Sequence, residues 1–156
     1  MNQEKLNFIR SGILPLLNGL ATEDKGKWGK MNGQQMVEHL SVMFRISSGK
    51  LNLPLVTPLE NLPKYKEFLM SEKEFRENTK APAQYIPDEP IPLKFANMQE
   101  ALRILEKSIG EFFTSFSDDD EKKTLHPVFG ELNFAEWVQL HHKHVLHHFK
   151  QFDLIK

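Results

Sequence analysis

The stretch NFAEWVQLHHKHVLHHFKQF, residues 133–152, decides how the rest of the chain is interpreted. Asn133 is followed three residues later by Glu136, which is the capping-box signal for the start of a helix. At about 100° per residue, the apolar side chains that follow fall within an arc of about 120°. These side chains are Phe134, Trp137, Val138, Val145, Phe149 and Phe152. The stretch therefore predicts a helix over 134–152 with one buried face.

The same start signal occurs at two earlier places in the chain. Asn32 precedes Gln35 by three residues, and Asn97 precedes Glu100 in the same way. A periodic apolar pattern follows each cap, as in a helix with one face on a core. We expect helices over 33–49 and 98–116.

A further helix is expected near the N-terminus, over 3–19, where Leu and Ile recur close to a 3.6-residue period. Pro15 weakens that prediction and is expected to kink the helix. Between the second and third long helices lie about fifty residues rich in proline, a length of connection that usually has a role. Within that crossover, 63–80 is compatible with one short helix. No segment has a convincing strand period, and PLKFANM at 92–98 is too short.

The fold expected from these elements is all-α. It is an antiparallel four-helix bundle with a long Pro-rich crossover, which contains the short helix, between the second and third bundle helices. A chain of 156 residues with 40% hydrophobic content suits one domain over 1–156.

Composition narrows the classes of function. Twenty Lys plus Arg against twenty-one Asp plus Glu leave a formal charge of −1, which argues against nucleic acid as a partner. The chain has no Cys, so any metal must be bound by His, Asp, Glu or water. The N-terminus lacks the layout of a signal peptide, and no stretch approaches the length of a membrane span. A cytoplasmic protein without membrane contact is expected.

Five of the seven histidines lie within residues 141–148 of the predicted last helix. On the helical wheel His141 lies inside the buried arc, with His148, and His144 lies at its edge. His142 falls on the opposite edge, and His147 points away. His144 and His148 are four residues apart, a spacing that lets two imidazoles bind one cation. His141 with His144 is an alternative pair.

A metal in a helical bundle needs a further ligand from a facing helix, and His39 is the obvious candidate. It lies at the edge of the apolar stripe in MNGQQMVEHLSVMF, residues 31–44. Three imidazoles with a fourth position open would suit Zn²⁺ or Ni²⁺. Glu38 and Gln151 are polar neighbours that could orient ligands. The alternative is that the histidines are ordinary exposed or buried side chains with no metal.

Two blocks carry a resemblance to a known superfamily. WGKMNGQQMVEHL at 28–40 and HPVFGELNFAEWVQLHHKHVLHHFKQF at 126–152 resemble the DinB-like superfamily, which includes YfiT-like metal hydrolases and bacillithiol and mycothiol transferases. The closest resemblance is to a branch of uncharacterised bacterial proteins within it. The resemblance implies a metal bound by His39, His144 and His148 in an antiparallel bundle that is often a homodimer. It also includes His126, for which a role in fixing a turn is favoured over a catalytic one.

The function expected from the resemblance is a metal-dependent enzyme acting on a small-molecule substrate. Two reactions stay open: hydrolysis, and transfer of a low-molecular-weight thiol to an electrophile. The alternative is a non-catalytic helical bundle that binds a small ligand or a partner. His141, Gln151, Glu38 and His126 are the candidates for further site or pocket residues.

Overall fold

The computed structural model describes residues 1–77 and 90–156. Within these ranges the chain forms a mainly helical structure with one small β-hairpin. Its elements are α1 (Gln3–Asn7), a π-helical turn (Phe8–Gly12), α2 (Ile13–Leu16), α3 (Gly33–Ser47), a 3₁₀ turn (Leu59–Asn61), α4 (Leu62–Met70), α5 (Met98–Ser115), β1 (Thr124–His126), β2 (Gly130–Leu132) and α6 (Phe134–Gln151).

The predicted caps start the three long helices. Asn32 and Asn133 each form a complete capping box, in which the side chain at the cap and the side chain three residues later exchange hydrogen bonds with the backbone. Asn97 accepts from the Glu100 amide only, because the Glu100 carboxylate pairs with Arg103 instead. All three helices therefore begin one residue after the Asn, and they end one or two residues earlier than expected.

The N-terminal helix is continuous through α1, the π turn and α2. The widened turn at Phe8–Gly12 lies just before Pro15, whose ring would crowd the carbonyl four residues earlier in a regular α-helix. Ile9 and Ile13 remain fully buried on its inner face. The expected distortion is present, and it takes the form of a π turn that keeps the apolar side chains on the core.

The core lies between the long helices. α3 and α5 pack along each other, with the Phe44 and Phe112 rings 5.9 Å apart. α6 closes the core with fully buried Trp137 and Phe149. The two helices that carry the predicted ligands, α3 and α6, thus face each other across a shared apolar interior.

The prediction of an all-α four-helix bundle is wrong. In the described ranges the chain has five helical segments, counting α1 to α2 as one, and an antiparallel hairpin pairs Thr124 with Leu132 and His126 with Gly130. Each strand has only three residues, too few to display an alternating pattern in the sequence. The hairpin is held by neighbours: the Thr124 hydroxyl donates to the Ser47 carbonyl at 2.7 Å, and the Val56 amide donates to the Pro127 carbonyl at 2.9 Å.

The short helix expected within the crossover is α4, which ends at Met70 rather than at residue 80. Residues 78–80 of that prediction lie outside the described residues. After α4 the chain runs along α6, where the buried Lys143 ammonium donates to the carbonyls of Phe68, Ser71 and Lys73. These bonds satisfy carbonyl groups at the end of α4 and just beyond it, and contacts of this kind between distant segments have no local sequence signal.

Candidate metal centre

Three histidines from two helices converge between α3 and α6. The His144 Nε2 atom lies 3.0 Å from Nε2 of His39 and 3.1 Å from Nε2 of His148. One ring nitrogen from each residue lies within 4.8 Å of the other two. In the described part of the chain these residues form a group that could bind a metal ion, and no carboxylate belongs to it.

The spacing of these nitrogens suits a metal ion. Zinc bound at about 2.0–2.1 Å with tetrahedral angles separates its nitrogen ligands by about 3.3 Å. The two short contacts, 3.0 and 3.1 Å, are close to that value. An imidazole Nε2 has either one hydrogen or one lone pair in the ring plane, so His144 can form a hydrogen bond along only one of the two contacts. A cation between the three rings would satisfy all three nitrogens together.

Burial keeps the three rings neutral. It lowers the pKa of His39 to about 4, and His147 nearby adds to the effect. Burial also lowers the pKa values of His144 and His148 well below the usual value, and each ring disfavours a charge on its neighbours. Metal ligands must be deprotonated, so at neutral pH a proton does not compete for these nitrogens.

The last helical residue, Gln151, joins this group from the side. Its Oε1 atom lies 2.7 Å from Nδ1 of His148, whereas Nε2 of the same ring faces His144. The Gln151 amide nitrogen donates to the Trp28 carbonyl at 2.8 Å. Nδ1 of His144 is buried and has no hydrogen-bond partner among the described residues. Of the two histidines on α6 that converge here, His148 is thus the one with an oriented partner.

A family model described as Protein of unknown function (DUF1569) matches residues 13–154. The chain belongs to this family. The match includes both helices that carry the converging histidines, and Gln151 as well. No curated protein and no solved structure matches the chain. The DinB-like resemblance stays a prediction.

In this DUF1569 member His141 lies outside the cluster. Its ring stacks on Phe44 with centroids 3.9 Å apart and on Trp137 at 5.4 Å. Its Nε2 lies 2.8 Å from the Ser47 hydroxyl. Burial, with a smaller contribution from His126, lowers the pKa of His141 to about 3. Although His141 is on the buried arc of the wheel, it is part of the aromatic core and not of the site.

His126 and Glu38 also have structural partners. Nδ1 of His126 accepts hydrogen bonds from the amides of Val128 and Phe129, at 2.9 and 3.2 Å, inside the hairpin turn. Glu38 accepts from the amides of Lys94 and Phe95, at 2.8 and 3.3 Å. These contacts hold the turn and the end of the crossover, and neither residue belongs to the histidine cluster.

The two remaining histidines of the last helix face other surroundings. His142 packs edge-on against Phe8, with ring centroids 5.5 Å apart. His147 packs between Trp28 and Phe75, and its ring centroid lies 5.1 Å from that of His148. His147, which the wheel directed away from the core, is therefore half-buried beside the cluster rather than free in solvent.

The contribution of the loop before α3 was missed at the sequence level. GKWG, residues 26–29, brings a backbone carbonyl to Gln151. The two glycines that flank Lys27 and Trp28 were the available signal, since glycine often marks a close backbone approach.

None of the helices within residues 1–77 and 90–156 has the length and hydropathy to cross a lipid bilayer.

Proposed function

We propose that this protein is a metal-dependent enzyme of the DinB-like type, with His39, His144 and His148 as ligands of one divalent transition metal ion, Zn²⁺ or Ni²⁺. One observation supports the proposal: the Nε2 atoms of two neutral imidazoles, His39 and His148, both lie about 3 Å from Nε2 of a third, His144, and hydrogen bonds between them cannot satisfy all three. Borderline ions with a preference for nitrogen ligands suit such a donor set.

The uncharged donor set favours chemistry that needs a strong electrophile. A bound divalent ion in such a site supplies Lewis-acid chemistry, polarising a substrate and lowering the pKa of a water or thiol. The three imidazoles hold the ion without cancelling its charge, because no carboxylate joins them within the described residues. We propose hydrolysis or transfer of a low-molecular-weight thiol as the reaction, and a small molecule as the substrate.

The three histidines of the cluster are not equally buried. His148 is buried, whereas His39 and His144 each keep part of their surface exposed. A substrate would therefore approach from the side of His39 and His144, while His148 and Gln151 form the buried side of the site. This asymmetry supports an open coordination position rather than a closed structural site.

A second candidate function is binding of a small ligand without catalysis. A cavity of about 440 Å³ lies along the outer face of α6, and Trp28, Phe75 and His147 are among the residues that line it. Its size is in the range of small-molecule sites. In this alternative the histidines would serve packing, and the protein would not need a metal.

Metal content of the untagged protein, measured by mass spectrometry, tests the proposal. We expect about one equivalent of a transition metal after challenge with Zn²⁺ or Ni²⁺. His144→Ala should lose that metal, because it removes the central nitrogen of the cluster. His142→Ala is the matched control, since it removes a half-buried histidine of the same helix that packs on Phe8.

Less than about a tenth of an equivalent in the challenged wild-type protein would refute the metal centre and leave the ligand-binding alternative. Equal loss in both variants would show that the two substitutions act through the helix and not through a ligand. If the metal binds, low-molecular-weight thiols with electrophiles, and esters with amides, are the two substrate panels that separate the two proposed reactions.

A further inference from the structure

The Gln151 side chain is held at both ends. Its amide nitrogen donates to the Trp28 carbonyl at 2.8 Å, and its carbonyl oxygen lies 2.7 Å from Nδ1 of His148. Its backbone carbonyl accepts from the Lys27 amide at 2.7 Å. Both the backbone and the side chain of the last residue of α6 therefore form hydrogen bonds with the loop before α3.

These contacts determine where the proton of His148 lies. A backbone carbonyl can only accept, so the nitrogen end of the Gln151 amide must face Trp28. The oxygen end then faces His148 and can only accept, which requires a hydrogen on Nδ1 of the imidazole. With that hydrogen on Nδ1, the neutral ring has a bare lone pair on Nε2, the atom that faces His144.

The loop is shaped to receive this amide. A Cβ atom added at Gly29 would lie 2.8 Å from the Gln151 Nε2 atom, and one added at Gly26 would lie 2.8 Å from its Cγ. The loop is also attached to the start of α3, because the Gly33 amide donates to the Asp24 carbonyl at 2.8 Å. One loop therefore connects the end of α6, which carries His148, with the helix that carries His39.

We propose that Gln151 is a positioning residue for the metal centre. Held by the Trp28 carbonyl, it keeps His148 in the Nδ1–H tautomer, so that Nε2 is ready to bind a metal without rearrangement. The expected effect on metal affinity rests on the proposed function, whereas the tautomer of His148 does not depend on it. Replacing a residue that hydrogen-bonds to a metal-binding histidine in this way commonly weakens metal affinity by about 10- to 100-fold.

Zinc affinity of substituted proteins is the first test. Gln151→Met, which keeps the length of the side chain and removes both polar atoms, should weaken Zn²⁺ binding by about 10- to 100-fold in a competition titration with a chelator. Gln139→Met is the matched control. Gln139 is on the same helix and donates to the Ser71 carbonyl at 3.0 Å, away from the cluster. Its replacement should leave Zn²⁺ affinity unchanged.

The tautomer is measured independently of any metal. Nitrogen-15 NMR of the metal-free wild-type protein should show His148 protonated at Nδ1. Gln151→Met should shift the ring toward protonation at Nε2, whereas Gln151→Glu, which keeps an oxygen acceptor, should retain the wild-type form. A wild-type His148 protonated at Nε2, or unchanged tautomer and affinity in Gln151→Met, would overturn the inference.

Gly29→Ala tests the loop with a different substitution. Gly29 and Gly49 both have left-handed backbones, with φ of +78° and +83°, so alanine strains each similarly. Of these two positions, it is at Gly29 that an added Cβ would meet Gln151; at Gly49 its nearest neighbour would be Thr124 Cγ2 at 3.6 Å. Gly29→Ala should weaken Zn²⁺ binding and Gly49→Ala should not. If the wild-type protein binds no Zn²⁺, the proposed function fails, and the NMR measurement alone decides the role of Gln151.

Discussion

The two halves of α6 use the same residue type in opposite ways. In the first half, His141 is buried between Phe44 and Trp137, and in the second half His148 is also buried but faces two other imidazoles. The Ser47 hydroxyl donates to the Phe44 carbonyl at 2.9 Å, so its oxygen accepts from His141 and requires a hydrogen on Nε2. Gln151 requires the hydrogen of His148 on Nδ1. Burial alone therefore does not prepare a histidine to bind a metal; the partners of its ring nitrogens decide whether Nε2 carries a lone pair or a hydrogen.

The difference between His141 and His148 is tested most directly by replacing each with phenylalanine, which keeps an aromatic ring of similar size. His148→Phe should weaken Zn²⁺ binding by at least about 100-fold, because one of the three proposed ligands is lost. His141→Phe should leave binding unchanged, since its nitrogens face Ser47 and the core. Equilibrium dialysis against buffered Zn²⁺ measures both. Equal losses would mean that the two halves of the helix are not chemically distinct.

A second prediction concerns acid stability and the first half of the helix. The pKa of His141 is lowered to about 3 by burial. Below a pH of about 6.5 the unfolded chain binds a proton at this residue and the folded chain does not, so stability falls as the pH falls, by up to about 1.4 kcal/mol per pH unit. This loss continues until the pH approaches the folded-state value. His141→Phe removes this titrating group, so the free energy of unfolding should depend less steeply on pH, by the contribution of one proton.

Urea unfolding of the metal-free proteins at pH 7, 6 and 5 measures this dependence. His126, whose pKa is also lowered to about 3 by burial, contributes a similar slope in both proteins and so cancels in the comparison. Parallel curves for the wild-type and His141→Phe proteins would contradict the neutral, buried state of His141.

The smallest effect is expected from Ser47→Ala. It removes the acceptor of the His141 Nε2–H group and leaves a buried donor without a partner, at a cost of about 1–2 kcal/mol in the free energy of unfolding. Zn²⁺ affinity should not change, because the α6 residue that the Ser47 hydroxyl bonds is His141, which lies outside the histidine cluster. A change in affinity without a change in stability would place Ser47 in the metal centre instead.

Much of the helical architecture could be predicted from local signals. Asn caps and their partners three residues later act within one turn, so Asn32, Asn97 and Asn133 mark helix starts without knowledge of the fold. The hairpin from Thr124 to Leu132 could not be predicted in this way. Its three-residue strands depend on contacts with Ser47 and the crossover, which are distant in the sequence.

The candidate site also has a part that local sequence signals predict and a part that they do not. The four-residue spacing of His144 and His148, and the position of His39 on an apolar stripe, follow from helical periodicity, and the structure brings these three residues together. The spacing left His141 as an alternative partner, and only packing against Phe44 and Trp137 separates it from the site. Periodicity gives the direction of a side chain from its own helix but not the neighbour that it meets.

By itself, the sequence determined the long helices, the absence of cysteine ligands and the set of histidines that share a helical face. Tertiary structure alone decided which nitrogens converge, because convergence needs α3 and α6 in contact. It also brought the Trp28 carbonyl to Gln151 across 123 positions of the chain. The physical reason is the range of the interactions. Caps and helical faces arise from interactions within a few residues, whereas the convergence of the three histidines and the orientation of the Gln151 amide depend on contacts between distant segments.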